Sequence, residues 1–262
     1  MKAKEYFTMN TVSVRGVEIG AGRPKIAVSI TGATQDAILA QARALRALPV
    51  DVAEWRMDWF DRVEEGAAVQ QCLAALRAAL GDLPLLATFR TDREGGQRHL
   101  PTEHYIALNE FVAASGQADL LDVELFSGHE SVQRLVAAAH SANMAVILSS
   151  HDFEKTPPKA ELVSRLCRMQ ELGGDLLKLA VMPRSRSDVL TLLQATEEMY
   201  TCHATQPLIT MSMGRLGMIT RVCGETFGSA MTFGSALRSS APGQLPVEKL
   251  DQLLSLLSAA PL

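Results

Sequence analysis

Between positions 25 and 259, short apolar runs alternate with longer helix-patterned stretches eight times. Short apolar runs closed by turn residues read as strands, and longer stretches rich in alanine and leucine read as helices. Strands are expected over residues 25–30, 51–57, 84–89, 119–125, 144–149, 176–181, 207–211 and, weakly, 231–233. Helices are expected over 34–48, 69–80, 102–115, 131–142, 158–172, 185–200 and 247–259, with a short one over 220–227. Thr34, Thr102 and either Ser185 or Ser187 are the expected N-caps, and Pro158 is expected to begin the fifth helix. Alternating strands and helices imply a parallel sheet with right-handed crossovers. Eight such units in about 250 residues point to a closed (β/α)8 TIM barrel of the α/β class. The competing open sheet carries a G-x-G-x-x-G turn after its first strand. Here that position reads Thr31-Gly32-Ala33-Thr34. Ahead of the first barrel strand, an Arg15-Gly16-Val17 turn suggests a small hairpin at about 12–20, closing the barrel floor. The whole chain, 1–262, is expected to form one domain.

Composition narrows the partners. The 47% hydrophobic and 21% charged residues suit a soluble globular protein with a sizeable core. A net charge of −4 with scattered basic residues gives no reason to expect nucleic acid or a membrane surface. No apolar run reaches the roughly 18 residues of a membrane span, and the polar N-terminus does not look like a signal peptide. Cys72, Cys167, Cys202 and Cys223 are far apart and form no C-x-x-C pair. That pattern offers no zinc site and fits free thiols in a reducing cytoplasm.

The run Leu176-Leu177-Lys178-Leu179-Ala180-Val181 encloses one lysine in five apolar residues. An unpaired ammonium is costly out of water, so lysine is seldom fully buried. Lys178 is either a partly neutral amine able to attack a ketone or aldehyde, or a strand-end lysine that snorkels to solvent. The stretch alone leaves both open.

Barrel chemistry sits at the C-terminal ends of the strands. Ser29 lies near the end of the first strand, and Glu54 and Arg56 share one face of the second. The third ends at Arg90 with Glu94-Gly95-Gly96 beyond, and the fourth holds Asp122 and Glu124. The fifth ends Ser149-Ser150-His151-Asp152, and the sixth carries Lys178. The seventh ends Met211-Ser212-Met213, with Arg221 in the next segment. After the eighth comes the loop Ser239-Ser240-Ala241-Pro242-Gly243-Gln244. Each has a plainer reading. Glu54 and Arg56 can form a structural ion pair, Asp122 and Glu124 can orient neighbours, His151 can be a hydrogen-bonded core histidine, and the methionines can be packing. His99, His104, His129, His140 and His203 read as surface residues. Together, however, a lysine, a histidine, three arginines and several carboxylates converge on one rim, which suits a small anionic, hydroxylated molecule.

These residues carry a resemblance. Glu54-Trp55-Arg56-Met57-Asp58, Thr88-Phe89-Arg90, Glu94-Gly95-Gly96, Asp122-Val123-Glu124-Leu125-Phe126 and His151-Asp152-Phe153 come in order along the chain. Lys178-Leu179-Ala180, Met182-Pro183, Thr210-Met211-Ser212-Met213, Arg221, Phe227-Gly228-Ser229 and Ser240-Ala241-Pro242-Gly243-Gln244 follow. The set resembles the type I 3-dehydroquinate dehydratases of the shikimate pathway, from about Pro24 to the last helix. Departures are mild: Ser150 stands where an asparagine is expected, and Gln97 where an acid is common. The resemblance implies a (β/α)8 barrel that pairs as a cytoplasmic homodimer, uses no metal or organic cofactor, and acts on 3-dehydroquinate as a lyase. It makes Lys178 the Schiff-base lysine, His151 the general acid/base and Glu94 the residue that holds the histidine. Arg221 takes the substrate carboxylate. Ser29, Glu54, Arg56 and Arg90 contact ring hydroxyls or support the site, and Ser240 and Gln244 belong to a lid. Two other functions share parts of this pattern. A class I Schiff-base aldolase also uses a barrel-strand lysine but breaks a carbon–carbon bond, and a metabolite-binding barrel would lack chemistry altogether. Lys178 together with His151 argues against the latter.

Overall fold

The computed structural model describes residues 9–236 and 240–259, so the polar segment 1–8 and Ser239 lie outside the described residues. Two short strands, β1 (Val12–Val14) and β2 (Val17–Ile19), form an antiparallel hairpin. Its two-residue turn holds Arg15 at φ 47° and Gly16 at φ 80°, the left-handed conformation that tight hairpins need. Eight parallel strands follow: β3 (Lys25–Ile30), β4 (Val52–Arg56), β5 (Leu85–Thr88), β6 (Leu120–Glu124), β7 (Ala145–Asp152), β8 (Leu176–Val181), β9 (Leu208–Ser212) and β10 (Met231–Gly234). They pair in the order β10-β3-β4-β5-β6-β7-β8-β9. The ring closes between β9 and β10 through a bridge at Leu208 and Ser229. There Ala230 N donates to Leu208 O at 2.7 Å, and Ser229 Oγ accepts from Thr210 N at 3.0 Å. The result is the (β/α)8 barrel expected from the alternation.

The helices are α1 (Gln35–Leu45), α2 (Gly66–Leu80), α3 (Thr102–Ala114), α4 (His129–Ser141), α5 (Lys159–Glu171), α6 (Arg186–Cys202), α7 (Gly214–Gly217), α8 (Gly224–Phe227) and α9 (Val247–Ser258). Thr34 caps α1, its hydroxyl accepting from Ala37 N. Ser185, not Ser187, caps α6, in a reciprocal box with Asp188. Thr102 is no cap. The N-cap of α3 is Pro101, whose carbonyl accepts from Tyr105 N at 2.9 Å, and Thr102 is the first helical residue. Proline's locked φ starts the turn one residue sooner. Pro158 likewise occupies the N-cap of α5, ahead of Lys159. The short helix expected over 220–227 is instead α7, a 3-10 turn at Met218–Arg221, and α8. No helix of the described residues is long and apolar enough to cross a membrane.

Strand residues are buried on both faces, which is why the runs read as nearly continuously apolar. Outward residues such as Trp55, Leu121, Leu148, Leu177 and Leu179 pack against the helices. Inward, Val52, Leu86, Leu120, Ile147 and Leu176 form an apolar layer at the barrel floor, joined by Val14 and Ile19 of the hairpin. The hairpin is pinned there by Arg15 Nε, which donates to Asp119 Oδ1 at 2.6 Å. Two residues further along β4 to β8, on the same inner face, the side chains become polar.

Candidate active site

That second layer is Glu54, Thr88, Asp122, Ser149 and Lys178. Lys178 stands opposite Ser149 in the β7–β8 register and is only 4% exposed. Its ammonium does not reach solvent, so the snorkelling reading fails. Nζ donates to Asp122 Oδ2 at 3.4 Å, lies 3.8 Å from Glu54 Oε1, and sits 4.3 Å from the centre of the Phe233 ring. Burial pushes the Lys178 amine below the ordinary lysine value; Asp122 and Glu54 oppose this, and Arg90 and Arg56 reinforce it. The amine therefore gives up its proton more readily than a surface lysine.

Glu54 does not pair with Arg56. It accepts from Ser29 Oγ and from Thr88 Oγ1 at 3.1 Å. Arg56 turns instead to Asp58, in a two-pronged pair at 2.8 Å for each prong. Arg90 is committed to the wall. Nη2 donates to Asp122 at 2.8 Å, and Nη1 donates to Glu124 at 2.9 Å and to Ser149 at 3.1 Å. Although burial opposes it, Asp122 and Glu124 hold the Arg90 guanidinium protonated. Against burial, Arg90 and Lys178 in turn hold the Asp122 carboxyl below the usual range. Asp122 and Glu124 thus orient neighbours, as the sequence suggested.

His151 lies on β7, which runs three residues further than expected because it pairs with β8 as far as Asp152. The extension seats His151 beside Ala180, two residues above Lys178. Glu94 Oε2 accepts from His151 N at 3.0 Å and meets Nδ1 at 2.8 Å, which leaves Nε2 for the cleft. Burial, then Arg90 and Lys178, pushes His151 well below its ordinary value, so the ring is neutral. Burial, then the Glu124 carboxylate, pushes Glu94 upwards.

The turn carrying Glu94 depends on two glycines. Gly95 adopts φ 82°, and a Cβ on Gly96 would lie 1.8 Å from Arg90 O. Gly96→Ala must move the turn and Glu94 with it. A loss in kcat/KM of about 100-fold is expected, the scale of an ångström-sized misplacement. Steady-state kinetics checks this.

Arg221 is 1% exposed and has only neutral partners among the described residues. Its Nη atoms donate to Pro242 O at 3.0 Å, Phe233 O at 3.4 Å and Met211 Sδ at 3.5 Å, while Nε is unpaired. Burial lowers it to about 10, so it remains a cation at neutral pH. A buried cation without a counter-ion is a place for an anion. Close packing puts it there: a Cβ on Gly217 would strike Ser212 O at 2.3 Å, so the segment after β9 hugs the strand end.

Lys178, His151, Glu94, Glu54, Arg56, Arg90 and Arg221 all line one cleft of about 480 Å3, with Ser240 and Gln244 over it. Gln244 Nε2 donates to Ser240 Oγ at 3.0 Å, and Ser240 Oγ donates to Ser29 Oγ at 2.9 Å. Ser29 is therefore tied to the loop and to Glu54 rather than lining the cleft. The five other histidines are exposed, as expected.

The family model described as type I 3-dehydroquinase matches residues 26–261. The chain belongs to the type I 3-dehydroquinase family. Among its type I 3-dehydroquinase relatives, the 3-dehydroquinate dehydratase of Clostridium kluyveri is 50% identical over 249 residues, spanning 95% of this chain and 98% of the relative. The type I 3-dehydroquinate dehydratase structure from Clostridium difficile, which carries covalent modified comenic acid, is 48% identical with a TM-score of 0.94. It covers 96% of this chain and 99% of that one. The 3-dehydroquinate dehydratase structure of Geobacillus kaustophilus also reaches 0.94, at 37% identity over 98% of this chain and 100% of that one.

Four residues of this family member's site carry no individual role in the sequence reading. Thr88 and Ser149 lie on the inner face by the period-two rule that puts Glu54 and Arg56 on one face, so the signal was present. Phe233 sits inward on β10, its ring under the Lys178 ammonium, where the sequence marks only the end of a weak last strand. Asp58 lies beyond the end of β4, in a 3-10 turn at Met57–Trp59, where strand alternation no longer predicts direction.

Proposed function

We propose that this chain is a 3-dehydroquinate dehydratase of the shikimate pathway, converting 3-dehydroquinate to 3-dehydroshikimate and water through an imine on Lys178. The observation that carries the reading is one cleft holding Lys178 and His151 on adjacent strands, with Arg221 in the same wall lacking a counter-ion among the described residues. Adding 3-dehydroquinate should generate the absorbance of a conjugated enone. No such absorbance would remove the dehydratase reading.

The substrate has a ring ketone, an adjacent CH2 and, beyond it, a tertiary hydroxyl on the carbon bearing the carboxylate. The neutral Lys178 amine adds to the ketone carbon, and loss of the ketone oxygen as water leaves a protonated imine. That imine is a better electron sink than the ketone. His151 Nε2 takes a proton from the CH2, leaving an enamine. The same imidazolium then gives its proton to the tertiary hydroxyl on that face, which departs as water in a syn elimination. Hydrolysis consumes one water, restores the amine and releases the enone, so the net reaction loses one water. Glu94 holds the histidine with Nε2 inward. Arg221 anchors the carboxylate, Arg56 and Glu54 contact ring hydroxyls, and Arg90 and Ser29 support the wall and the lid. The 240–244 lid, tied to Ser29 and Arg221, keeps bulk water from the imine.

Two variants probe these roles. Arg221→Met should raise KM about 30- to 150-fold, the ~2–3 kcal/mol of a charge-assisted pair; steady-state kinetics decides. Asp122→Asn removes the carboxylate that stabilises the Lys178 ammonium. The amine then loses its proton at lower pH, so the acid limb of imine formation should move to lower pH. Trapping rates measured across pH test the sign, and a move to higher pH would contradict it.

The reading also carries a cytoplasmic homodimer built of one-domain chains. Light scattering should give about twice the 28.3 kDa chain mass.

A further inference from the structure

Asp58 is fully buried, yet it does not line the cleft. Its carboxylate accepts from Arg56 twice, from Gln97 N at 3.0 Å and from Arg90 N at 3.4 Å. Its backbone carbonyl accepts from Arg98 Nε at 2.9 Å. Arg90 and Gln97 are the two ends of the turn whose middle carries Glu94. Asp58 therefore grips a cleft arginine with one set of lone pairs and, with the rest, both ends of the turn that holds His151.

The geometry points to Asp58 as a positioning residue for dehydration, setting Arg56 and the Glu94–His151 pair together. It touches neither the substrate nor the reacting atoms. Its effect runs through Arg56 on binding and through the 90–97 turn on proton transfer. The chemistry requires a carboxylate. An asparagine would present NH2 in place of one oxygen, so in either orientation one prong of the Arg56 fork, together with the Arg90 or the Gln97 backbone amide, would face a donor and lose its acceptor. A buried donor left without an acceptor is costly, so the turn or the arginine would shift until the clash is relieved. Shifts of this size matter because acid–base transfer depends on hydrogen-bond reach.

A merely structural role would lower stability without changing each folded site. The test therefore counts sites. Wild type and D58N are incubated with 3-dehydroquinate and borohydride, and rates are expressed per trapped lysine. The expectation is that kcat falls about 10- to 100-fold and KM rises several-fold. The pH profile of kcat should also change, because His151 is no longer held in one orientation. In the double variant, Glu94→Gln added to D58N should cost less than threefold, since both act through one turn. A D58N protein with a lower Tm but kcat and KM per site within twofold of wild type would overturn the proposal, and so would additive losses. If D58N yields no folded protein, R98M carries the test. It removes only the part-exposed donor to the Asp58 carbonyl and a surface pair with Asp61. The proposal then expects kcat per site to fall about 3- to 10-fold, and an unchanged kcat overturns it. The inference rests on the dehydratase reading. Wild type that neither traps nor turns over removes that reading, whereas active wild type with unperturbed variants removes only this one.

Discussion

Lys178→Ala is expected to bring turnover below detection, a loss on the order of 10⁴-fold or more, the scale of removing a covalent nucleophile. The protein should remain folded. The substitution removes a buried cation held between Asp122 and Glu54. Two buried carboxylates then lose a cation, but Arg90 still pairs with Asp122, and Ser29 and Thr88 still serve Glu54. Tm should therefore drop by a few degrees while activity vanishes. Circular dichroism alongside the enone assay separates the two. Substantial residual turnover would mean that the ketone itself, rather than an imine, supports proton removal.

His151→Ala is expected to lower kcat by about 10³- to 10⁴-fold, the upper range for losing a general acid–base. The imine should still form, more slowly, because the Lys178 amine is kept reactive chiefly by burial and nearby arginines, not by the histidine. Trapped adduct should accumulate while enone does not. If enone formed at near-normal rates, another group would be moving the proton, and the Glu94–His151 pair would be structural.

The barrel was legible because its physics is periodic. Strands covered by helices outside and packed inside must be apolar almost throughout, so the first seven announce themselves as short runs and the eighth does so weakly. The period of two that puts Glu54 and Arg56 on one face, applied from the apolar floor layer upward, leads to Thr88, Asp122, Ser149 and Lys178 as well. Less was legible where the chain leaves regular structure. Arg56 shares a face with Glu54, but its side chain ends at the rim, where Asp58 in the 3-10 turn is the nearer partner. Arg221 falls within the helix expected over 220–227, whereas the chain there forms the 3-10 turn Met218–Arg221 and then α8, and the guanidinium donates to the Pro242 carbonyl. Thr102 looked like a cap because it is a threonine before an apolar stretch, yet Pro101 already supplies the turn. In each case the deciding contact is long-range or sits in a tight turn, where neighbouring sequence carries little information about direction.

The central claim is that Lys178 becomes covalently bonded to the substrate. The direct measurement is to incubate the protein with 3-dehydroquinate, reduce with borohydride, digest, and map the adduct by mass spectrometry. The account predicts one modified peptide, with the added mass on Lys178 and none on any other lysine. Enone formation without any adduct, or an adduct on a different lysine, would contradict it.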